Sequence, residues 1–352
     1  MRPFNYSLLS RRLWSHDMLR TVGALCREAG KEELYIRLRP RELSKLTGIA
    51  RVKSIRFSNA IEGITAPDAR IREIADRETD PQGYYEQQIA GYRDALDAIL
   101  ENFGSISVTS DNILRLHRIL YGHTNCPWAG KIKTRQNYIS AVYPDGHQKT
   151  LFTPTSPSET PDALDSLCSE YSRVTGNGEI DPLIAIPVFI RDFLCIHPFS
   201  DGNGRMSRLL TTLLLCRSGF LVGRYISLEE KIGRWPDLYY SALSASEHEW
   251  HDGKEDPEPF IRYLLGTVLA AYKDFEERFS LVETRQTAIE KVRLAAHNKI
   301  GRFAKQDIRE LCPYLSESSI EGALRKLVSS GELVREGIGR STCYRRLDSL
   351  KS

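Results

Sequence analysis

Apolar residues recur at helical spacing along most of this 352-residue chain. The run from Leu183 to Ile196 is apolar almost throughout, and a second apolar run opens at Arg205 and continues to Leu215. Near the amino terminus, residues Arg41 to Ile64 carry apolar side chains at mixed helical spacings, and Gly63 stands where a C-terminal helix cap belongs. These patterns predict a mostly α-helical protein.

One segment departs from helical spacing and predicts a β-hairpin. Residues 138–143 alternate as a strand does, residues 144–146 (Pro-Asp-Gly) are typical of a turn, and residues 148–154 return. Taken alone, these residues indicate an ordinary surface hairpin. The hairpin is expected between the amino-terminal helices and the two apolar helices.

The same patterns divide the chain into three parts. Residues 1–104 are predicted to be helical, with a charged segment from Asp68 to Gln82 that is a solvated linker or a short helix. Residues 105–280 contain the hairpin and the two apolar helices. Residues 284–348 have a pattern of their own, in which three predicted helices precede a glycine-turned hairpin and together resemble a winged helix. Those helices are predicted at residues 286–297, 305–311 and 318–329.

Composition excludes several classes of protein. The seven cysteines are scattered and include no Cys-x-x-Cys pair, which argues against a disulfide framework and a zinc site and implies a reducing cytoplasm. The longest strongly apolar stretch is far too short to span a bilayer, and no secretion signal is visible, so no membrane partner is expected. The net charge of +3 is too small to indicate a partner.

The most informative stretch runs from His197 to Arg208 and joins the two apolar helices. Gly202 and Gly204 let the backbone approach a ligand closely, and the free N–H groups at the start of the second helix attract phosphate oxygens. Arg205 and Arg208 share one face of the first helical turn, where the helix dipole disfavours cations. Helix stability alone would not select these arginines, so the stretch predicts a site for phosphates.

Two further side chains in this stretch can bind a metal ion or accept a proton. Asp201 can hold a hard cation such as Mg²⁺, which prefers carboxylate and phosphate oxygens as ligands. His197 is a neutral base that can accept a proton near pH 7. A base, a metal ligand and a phosphate clamp in one loop and one helical turn indicate a polyphosphate substrate.

The order of residues 197–208 matches H-P-F-x-[DE]-G-N-G-R-x-x-R and therefore resembles the signature of the Fic (filamentation induced by cyclic AMP) family. The resemblance implies a mostly α-helical Fic-type core with a small β-hairpin flap. It also implies transfer of AMP from ATP, with Mg²⁺, to a Ser, Thr or Tyr hydroxyl of a target protein. In this resemblance His197 is the catalytic base, Asp201 is the metal ligand, and Phe199 anchors the loop in the core.

The resemblance also implies how ATP is held. Asn203 and the amides of Gly202 and Gly204 would bind the α phosphate. The β and γ phosphates would be bound by Arg205 and Arg208.

Two other elements are assigned by the same resemblance. Tyr239 and Tyr240, on a predicted helix after the signature, would line the adenine and ribose pocket. The hairpin is similar to the family's flap, whose exposed edge binds the target peptide as an added strand. The flap residues are Gln148, Lys149, Thr150 and Leu151.

A short segment near the amino terminus resembles the family's inhibitory motif, [ST]-x-x-x-E-[GN]. It consists of Ser58, Glu62 and Gly63 with the residues between them. Ser58 and Glu62 lie four residues apart on one helix face, and a carboxylate in the last helical turn is disfavoured by the helix dipole. In relatives this glutamate pairs with the second arginine of the signature, here Arg208, so the resemblance implies an autoinhibited enzyme.

The carboxy-terminal part leaves its partner open. From Leu281 onward there are 14 Lys and Arg against 9 Asp and Glu, a surplus that suits nucleic acid. Glu317 and Glu321, however, lie on the predicted recognition helix, where DNA would bind. DNA binding is therefore possible but less favoured than a role in docking a protein or orienting a homodimer.

The sequence as a whole predicts a cytoplasmic protein adenylyltransferase, autoinhibited by Glu62, that acts on a target protein and possibly on itself. Two alternatives remain open. One keeps the fold and changes the reaction, to removal of AMP or transfer of another phosphate-linked group. The other is a DNA-binding regulator in which the Fic core senses nucleotide.

Overall fold

Helices make up most of the fold of this chain. The computed structural model describes residues 2–38, 40–142, 148–283, 287–299, 301–337, 339 and 342–346. Within these ranges the chain forms fourteen α-helices, five short β-strands and three 3₁₀ helices. None of the described helices is both long and apolar enough to cross a membrane.

Five helices precede the predicted hairpin. They are α1 (His16–Leu38), α2 (Pro40–Ile61), α3 (Asp68–Ala75), α4 (Gly83–Asn102) and α5 (Ser110–Leu120). The charged segment after α2 therefore contains a short helix, α3, which was one of its two predicted forms. Helix α2 packs against α3 and α4 and also against a helix that follows the signature.

The hairpin is present in the structure. Strands β1 (Ile139–Val142) and β2 (Gln148–Phe152) pair antiparallel, with Ser140 opposite Thr150 and an irregularity in register after Ile139. The predicted turn, residues 144–146, lies outside the described residues. Because the sheet has two strands, β2 has one edge that β1 does not cover.

Six helices of the core follow the hairpin. They are α6 (Thr160–Gly176), α7 (Pro182–Ile196), α8 (Asn203–Arg217), α9 (Leu228–Arg234), α10 (Pro236–Glu247) and α11 (Glu258–Glu283). Three short 3₁₀ helices complete the core and span Tyr6–Arg11, Val222–Arg224 and Trp250–Asp252.

The pair α7 and α8 forms the centre of the core. Asp181 caps α7 by accepting a hydrogen bond from the Leu183 N–H at 2.8 Å, and Pro182 occupies the first turn, where its missing N–H costs nothing. Every residue of α7 from Leu183 to Ile196 is buried, as expected for a helix that is apolar on all sides. The loop between α7 and α8 is therefore fixed at both ends by buried helices.

The carboxy-terminal residues have a hydrophobic cluster of their own, from Val292 to Leu333. They form α12 (Ala288–His297), β3 (Arg302–Phe303), α13 (Lys305–Leu311), α14 (Glu317–Ser329), β4 (Leu333–Glu336) and β5 (Cys343–Arg346). The sheet order is β3-β5-β4, and the sequence pattern did not predict β3. Three helices followed by a hairpin agree with the predicted order, and the winged-helix assignment stays a prediction.

Candidate active site

The signature loop begins and ends with left-handed backbone. His197 follows the last residue of α7 with φ +52°, and Gly202 precedes α8 with φ +82°. Left-handed backbone disfavours most side chains, which accounts for glycine at position 202. A methyl group at Gly202 would also lie 2.9 Å from the Tyr121 hydroxyl oxygen. These two residues turn the chain so that the loop joins the ends of two buried helices.

Phe199 and Asn203 hold the loop against the core. Phe199 is fully buried, and its ring stacks on the ring of His117 at a centroid distance of 3.7 Å. The Asn203 side chain accepts from the Phe199 N–H at 2.9 Å and donates to the Phe199 carbonyl at 2.8 Å. Asn203 therefore anchors the loop in this structure, and its contact with the α phosphate stays a prediction.

His197 presents one nitrogen as a base. Its Nδ1 lies 3.1 Å from the Leu194 carbonyl, which can only accept, so Nδ1 carries the proton and Nε2 keeps its lone pair. Burial, assisted by the Lys133 ammonium, lowers the pKa of His197 to about 4, while the hydrogen bond to the Leu194 carbonyl and the charges of Glu62 and Asp201 oppose the shift. The imidazole is therefore unprotonated at neutral pH and able to accept a proton.

The Asp201 carboxylate lies at the exposed edge of the loop, with its side chain 56% exposed. One oxygen accepts from the Gly202 N–H at 2.7 Å, and the other accepts from the Tyr121 hydroxyl at 2.8 Å. Each carboxylate oxygen has further lone pairs beyond these bonds. Asp201 is thus oriented but not enclosed, as a ligand for a cation carried by a phosphate group should be.

Arg205 is buried with unused hydrogen-bond donors. Its guanidinium lies over the ring of Tyr121, 5.1 Å from the centroid, and Nη2 donates to the Tyr121 hydroxyl. Nε and Nη1 have no hydrogen-bond partner among the residues that the structure describes. Buried N–H groups without acceptors are costly, so these two donors fit an anionic ligand that completes the site.

Arg208 is bound by the end of α2. Its Nε donates to the Ser58 hydroxyl at 2.8 Å, and Nη2 donates to the Ser58 carbonyl at 2.9 Å and to Glu62 Oε1 at 2.7 Å. The structure thus brings Arg208 into contact with Ser58 and Glu62, which lie about 150 residues earlier in the sequence. The Arg208 side chain is only 4% exposed, so this ion pair is poorly screened on the arginine side.

The cap of α2 fixes the position of Glu62. The helix ends at Ile61, three residues before the predicted end, and Gly63 has φ +74°. The Gly63 N–H bonds to the Ala60 carbonyl and the Ile64 N–H to the Asn59 carbonyl, each at 3.0 Å, which is a Schellman cap. Glu62 is therefore the cap residue itself, and Gly63 provides the left-handed backbone that the cap requires.

The Glu62 carboxylate lies against the first turn of α8. A methyl group at Gly204 would come 2.3 Å from Glu62 Oε1 and 3.4 Å from Arg208 Nη1. The N–H groups of a first helical turn have no partner within the helix and attract anions. Glu62 thus places a carboxylate at the place where the sequence predicts phosphate, and Gly204 leaves the space for it.

The two predicted adenine-pocket tyrosines differ in exposure. Tyr239 is 4% exposed and packs edge-on against Phe260 and Tyr263, whereas Tyr240 is 50% exposed. Neighbouring residues on a helix point in different directions, which explains the difference. Tyr240 is thus the one with surface to offer a ligand, and its contact with adenine stays a prediction.

Four site residues had not been anticipated from the sequence: His117, Tyr121, Lys133 and Asn137. The Tyr121 hydroxyl forms hydrogen bonds with both Asp201 and Arg205, and the His117 ring stacks on the ring of Phe199. These residues lie 60 to 80 positions before the first residue of the signature and belong to no short motif. The one weak signal concerns Lys133 and Asn137, which lie in the cluster of polar residues just before β1.

Parts of this chain are similar to known proteins. Residues 107–215 match the Fic/DOC family. Protein adenylyltransferase fic-1 of Caenorhabditis elegans is 31% identical over 160 residues, which are 45% of this chain and 26% of that protein. Protein adenylyltransferase Fic of Nematostella vectensis is 28% identical over 222 residues, which are 60% of this chain and 45% of that protein. The matches thus span less than half the length of these relatives.

Solved structures agree on the fold. A Fic family protein from Desulfovibrio desulfuricans G20 has a TM-score of 0.60 at 19% identity, over 96% of this chain and 98% of that one. Fic-1 from Caenorhabditis elegans has a TM-score of 0.57 at 25% identity, over 79% and 74% of the two chains. The mostly α-helical Fic fold predicted from the sequence is confirmed.

Proposed function

We propose that this protein is a protein adenylyltransferase, which transfers AMP from ATP to a Ser, Thr or Tyr hydroxyl of a target protein. The observation that carries the proposal is the junction of α7 and α8, where an unprotonated His197 ends one helix and a buried Arg205 with unused donors lies in the first turn of the next. Relatives named as protein adenylyltransferases support the same activity.

The proposed reaction divides between positioning and one proton transfer. The target oxygen attacks the α phosphorus, the bond from that phosphorus to the bridging oxygen breaks, and pyrophosphate leaves. His197 Nε2 takes the hydroxyl proton. The first-turn N–H groups of α8, with Arg205 and Arg208, bind the phosphates and stabilise their charge, which is the main requirement of phosphoryl-type transfer.

We propose Asp201 as the residue that holds Mg²⁺. Within the described ranges no three His, Cys, Asp or Glu side chains are arranged as a metal site, so the cation would take its other ligands from phosphates and water. The cation would neutralise phosphate charge. Tyr121 and the Gly202 N–H keep the Asp201 carboxylate in one orientation for this contact.

We further propose that Glu62 holds the enzyme in an inhibited state. Its carboxylate occupies the mouth of the α8 anion site and engages Arg208. A γ phosphate that cannot pair with Arg208 must take another position, and the α phosphate is then misaligned for attack. Inhibition by this contact requires no change in the fold of the core.

The predictions about self-modification, oligomeric state, localisation and DNA binding remain proposals. Self-modification and a homodimer stay possible, and the seven cysteines, all unpaired, are consistent with a cytoplasmic protein. Lys305, at the start of α13, pairs with Glu317 at 2.8 Å and Glu321 at 2.7 Å on α14, which partly neutralises the two acids that oppose DNA. DNA binding by residues 284–348 stays a prediction that ranks below a protein-docking role.

The position of a radioactive label tests the class of reaction. We expect label from the α phosphate of ATP to enter protein, and label from the γ phosphate to leave as pyrophosphate, because the proposed bond cleavage lies between the α phosphorus and the bridging oxygen. Incorporation of γ label would indicate phosphoryl transfer instead. Release of AMP from a premodified protein, without incorporation, would favour the alternative reaction in which AMP is removed.

Proline in β2 tests the proposed flap. Proline at Lys149, Thr150 or Leu151 removes a backbone donor, so at least one of three single variants should lower target modification by tenfold or more. The ATP dissociation constant should change less than about threefold, because the flap edge binds peptide. Alanine at the same positions is the control. If all three proline variants modify the target as well as their alanine controls, strand addition at β2 is wrong.

A further inference from the structure

Lys133 and Asn137, in the segment before the flap, form hydrogen bonds with the backbone of the signature loop. Lys133 Nζ donates to the Ile196 carbonyl at 3.0 Å, and the Lys133 N–H donates to the Pro198 carbonyl at 2.8 Å. Asn137 Nδ2 donates to the carbonyls of His197 at 3.3 Å and Phe199 at 3.0 Å. Four successive carbonyls, from residue 196 to residue 199, are therefore bound by one lysine and one asparagine.

A hydrogen bond between Lys133 and Asn137 fixes the orientation of the Asn137 amide. Lys133 Nζ donates to Asn137 Oδ1 at 2.8 Å, so the oxygen of that amide faces the ammonium and the nitrogen faces the loop. The Lys133 side chain is almost fully buried, with the residue 3% exposed. Burial lowers its pKa to about 8, which leaves the ammonium charged at neutral pH. The buried ammonium is bound by two oxygens, the Ile196 carbonyl oxygen and Asn137 Oδ1, and cannot move without losing these partners.

The position of the ammonium has an electrostatic reason. Ile196 is the last residue of α7, and its carbonyl belongs to the helix end that carries partial negative charge. A cation at this end is favourable, and it compensates a carbonyl that the left-handed turn at His197 leaves outside the helix ladder. Lys133 therefore caps α7 from a segment more than 60 residues earlier in the chain.

The charged groups that act on His197 come from three elements. They are Lys133 from the segment before β1, Glu62 from the end of α2 and Asp201 from the signature loop. Only Lys133 carries positive charge, so it opposes protonation of the imidazole while the two carboxylates favour it. Replacing Lys133 by a neutral residue removes this repulsion and leaves burial of the imidazole as the cause that still disfavours its protonation.

We propose that Lys133 and Asn137 are positioning residues for the transfer reaction, which hold the His197 backbone in one conformation and keep the imidazole free to accept a proton. The proposal rests on the proposed function for its kinetic part. Neither residue is placed in contact with ATP or with the target. Their loss should accordingly lower the rate of transfer and leave nucleotide binding nearly unchanged.

Lys133→Met tests the proposal by two independent readouts. By NMR titration of the full chain without nucleotide, we expect the His197 pKa to rise by at least half a unit, because a cation that opposes protonation is gone. In a Glu62→Gly background, where turnover is measurable, kcat should fall at least tenfold with KM for ATP changed less than threefold. Lys133→Arg, which keeps a cation, should recover most of both values.

Lys131→Met is the matched control, since Lys131 lies in the same segment but is exposed. If Lys133→Met behaves as Lys131→Met does in both readouts, the proposal is overturned. If Lys133→Met does not fold, Asn137→Ala removes the bonds to His197 and Phe199 and should lower kcat by itself. Should the Glu62→Gly parent transfer no AMP, the proposed function fails, whereas the NMR shift still decides whether Lys133 acts on His197.

Discussion

Replacement of His197 by alanine is expected to lower AMP transfer by at least about 1000-fold, within the range that a positioned general base contributes. The imidazole acts on the incoming hydroxyl, so the dissociation constant for ATP should change less than about threefold, as expected when only a transition-state interaction is lost. The rate is measured with labelled ATP in the Glu62→Gly background, and nucleotide binding by calorimetry. Exposed His16, replaced by alanine, serves as the control.

The pH dependence of kcat is a second test of His197 as the catalytic base. A free histidine loses its capacity as a base below about pH 6.5. Because burial lowers the pKa of His197 to about 4, the base stays unprotonated down to about pH 5, and kcat should fall only below that. A fall in kcat centred near pH 6.5, or a loss of ATP affinity as large as the loss of rate, would contradict the assigned role.

Glu62→Gly should raise AMP transfer by about 100-fold or more, because a misplacement of about 1 Å at the reacting atoms costs on the order of 100-fold in rate. The substitution releases Arg208 for the γ phosphate and clears the carboxylate from the first turn of α8. Adding Arg208→Ala should erase the gain, since the released arginine is what produces it. Glu101→Gly, at an exposed glutamate in the last turn of α4, is the matched control.

Stability separates relief of inhibition from general loosening of the protein. Without Glu62, Arg208 keeps its two bonds to Ser58 but loses one partner while 4% exposed, which costs about 1–3 kcal/mol. The melting temperature should therefore fall by only a few degrees. A gain in activity that survives Arg208→Ala would show that Glu62 does not inhibit through this arginine.

The central helices and the signature could be predicted from the sequence because their information is local. The apolar runs of α7 and α8 are continuous, and His197, Asp201 and Arg205 lie within one loop and one turn. The pairing of Glu62 with Arg208 came from a family resemblance and is present at 2.7 Å. Its position was less well predicted, because the Schellman cap at Gly63 ends α2 at Ile61.

The supports of the loop could not be predicted, because they depend on contacts between distant segments. Tyr121 bridges Asp201 and Arg205 from the end of α5, and Lys133 and Asn137 reach the loop from a segment without regular secondary structure. A polar residue in such a segment has the same sequence pattern whether it faces solvent or a buried carbonyl. Only the fold distinguishes buried Lys133 from exposed Lys131.

Mass spectrometry of the purified chain after incubation with ATP and Mg²⁺ tests the central claim most directly. Three forms are compared: the wild type, Glu62→Gly, and Glu62→Gly combined with His197→Ala. The predicted result is an AMP adduct on hydroxyl side chains of the Glu62→Gly chain, at a level far above that of the wild type, and no adduct on the double variant. Absence of the adduct from Glu62→Gly, or equal adduct on all three chains, would contradict an adenylyltransferase that uses His197 and is inhibited by Glu62.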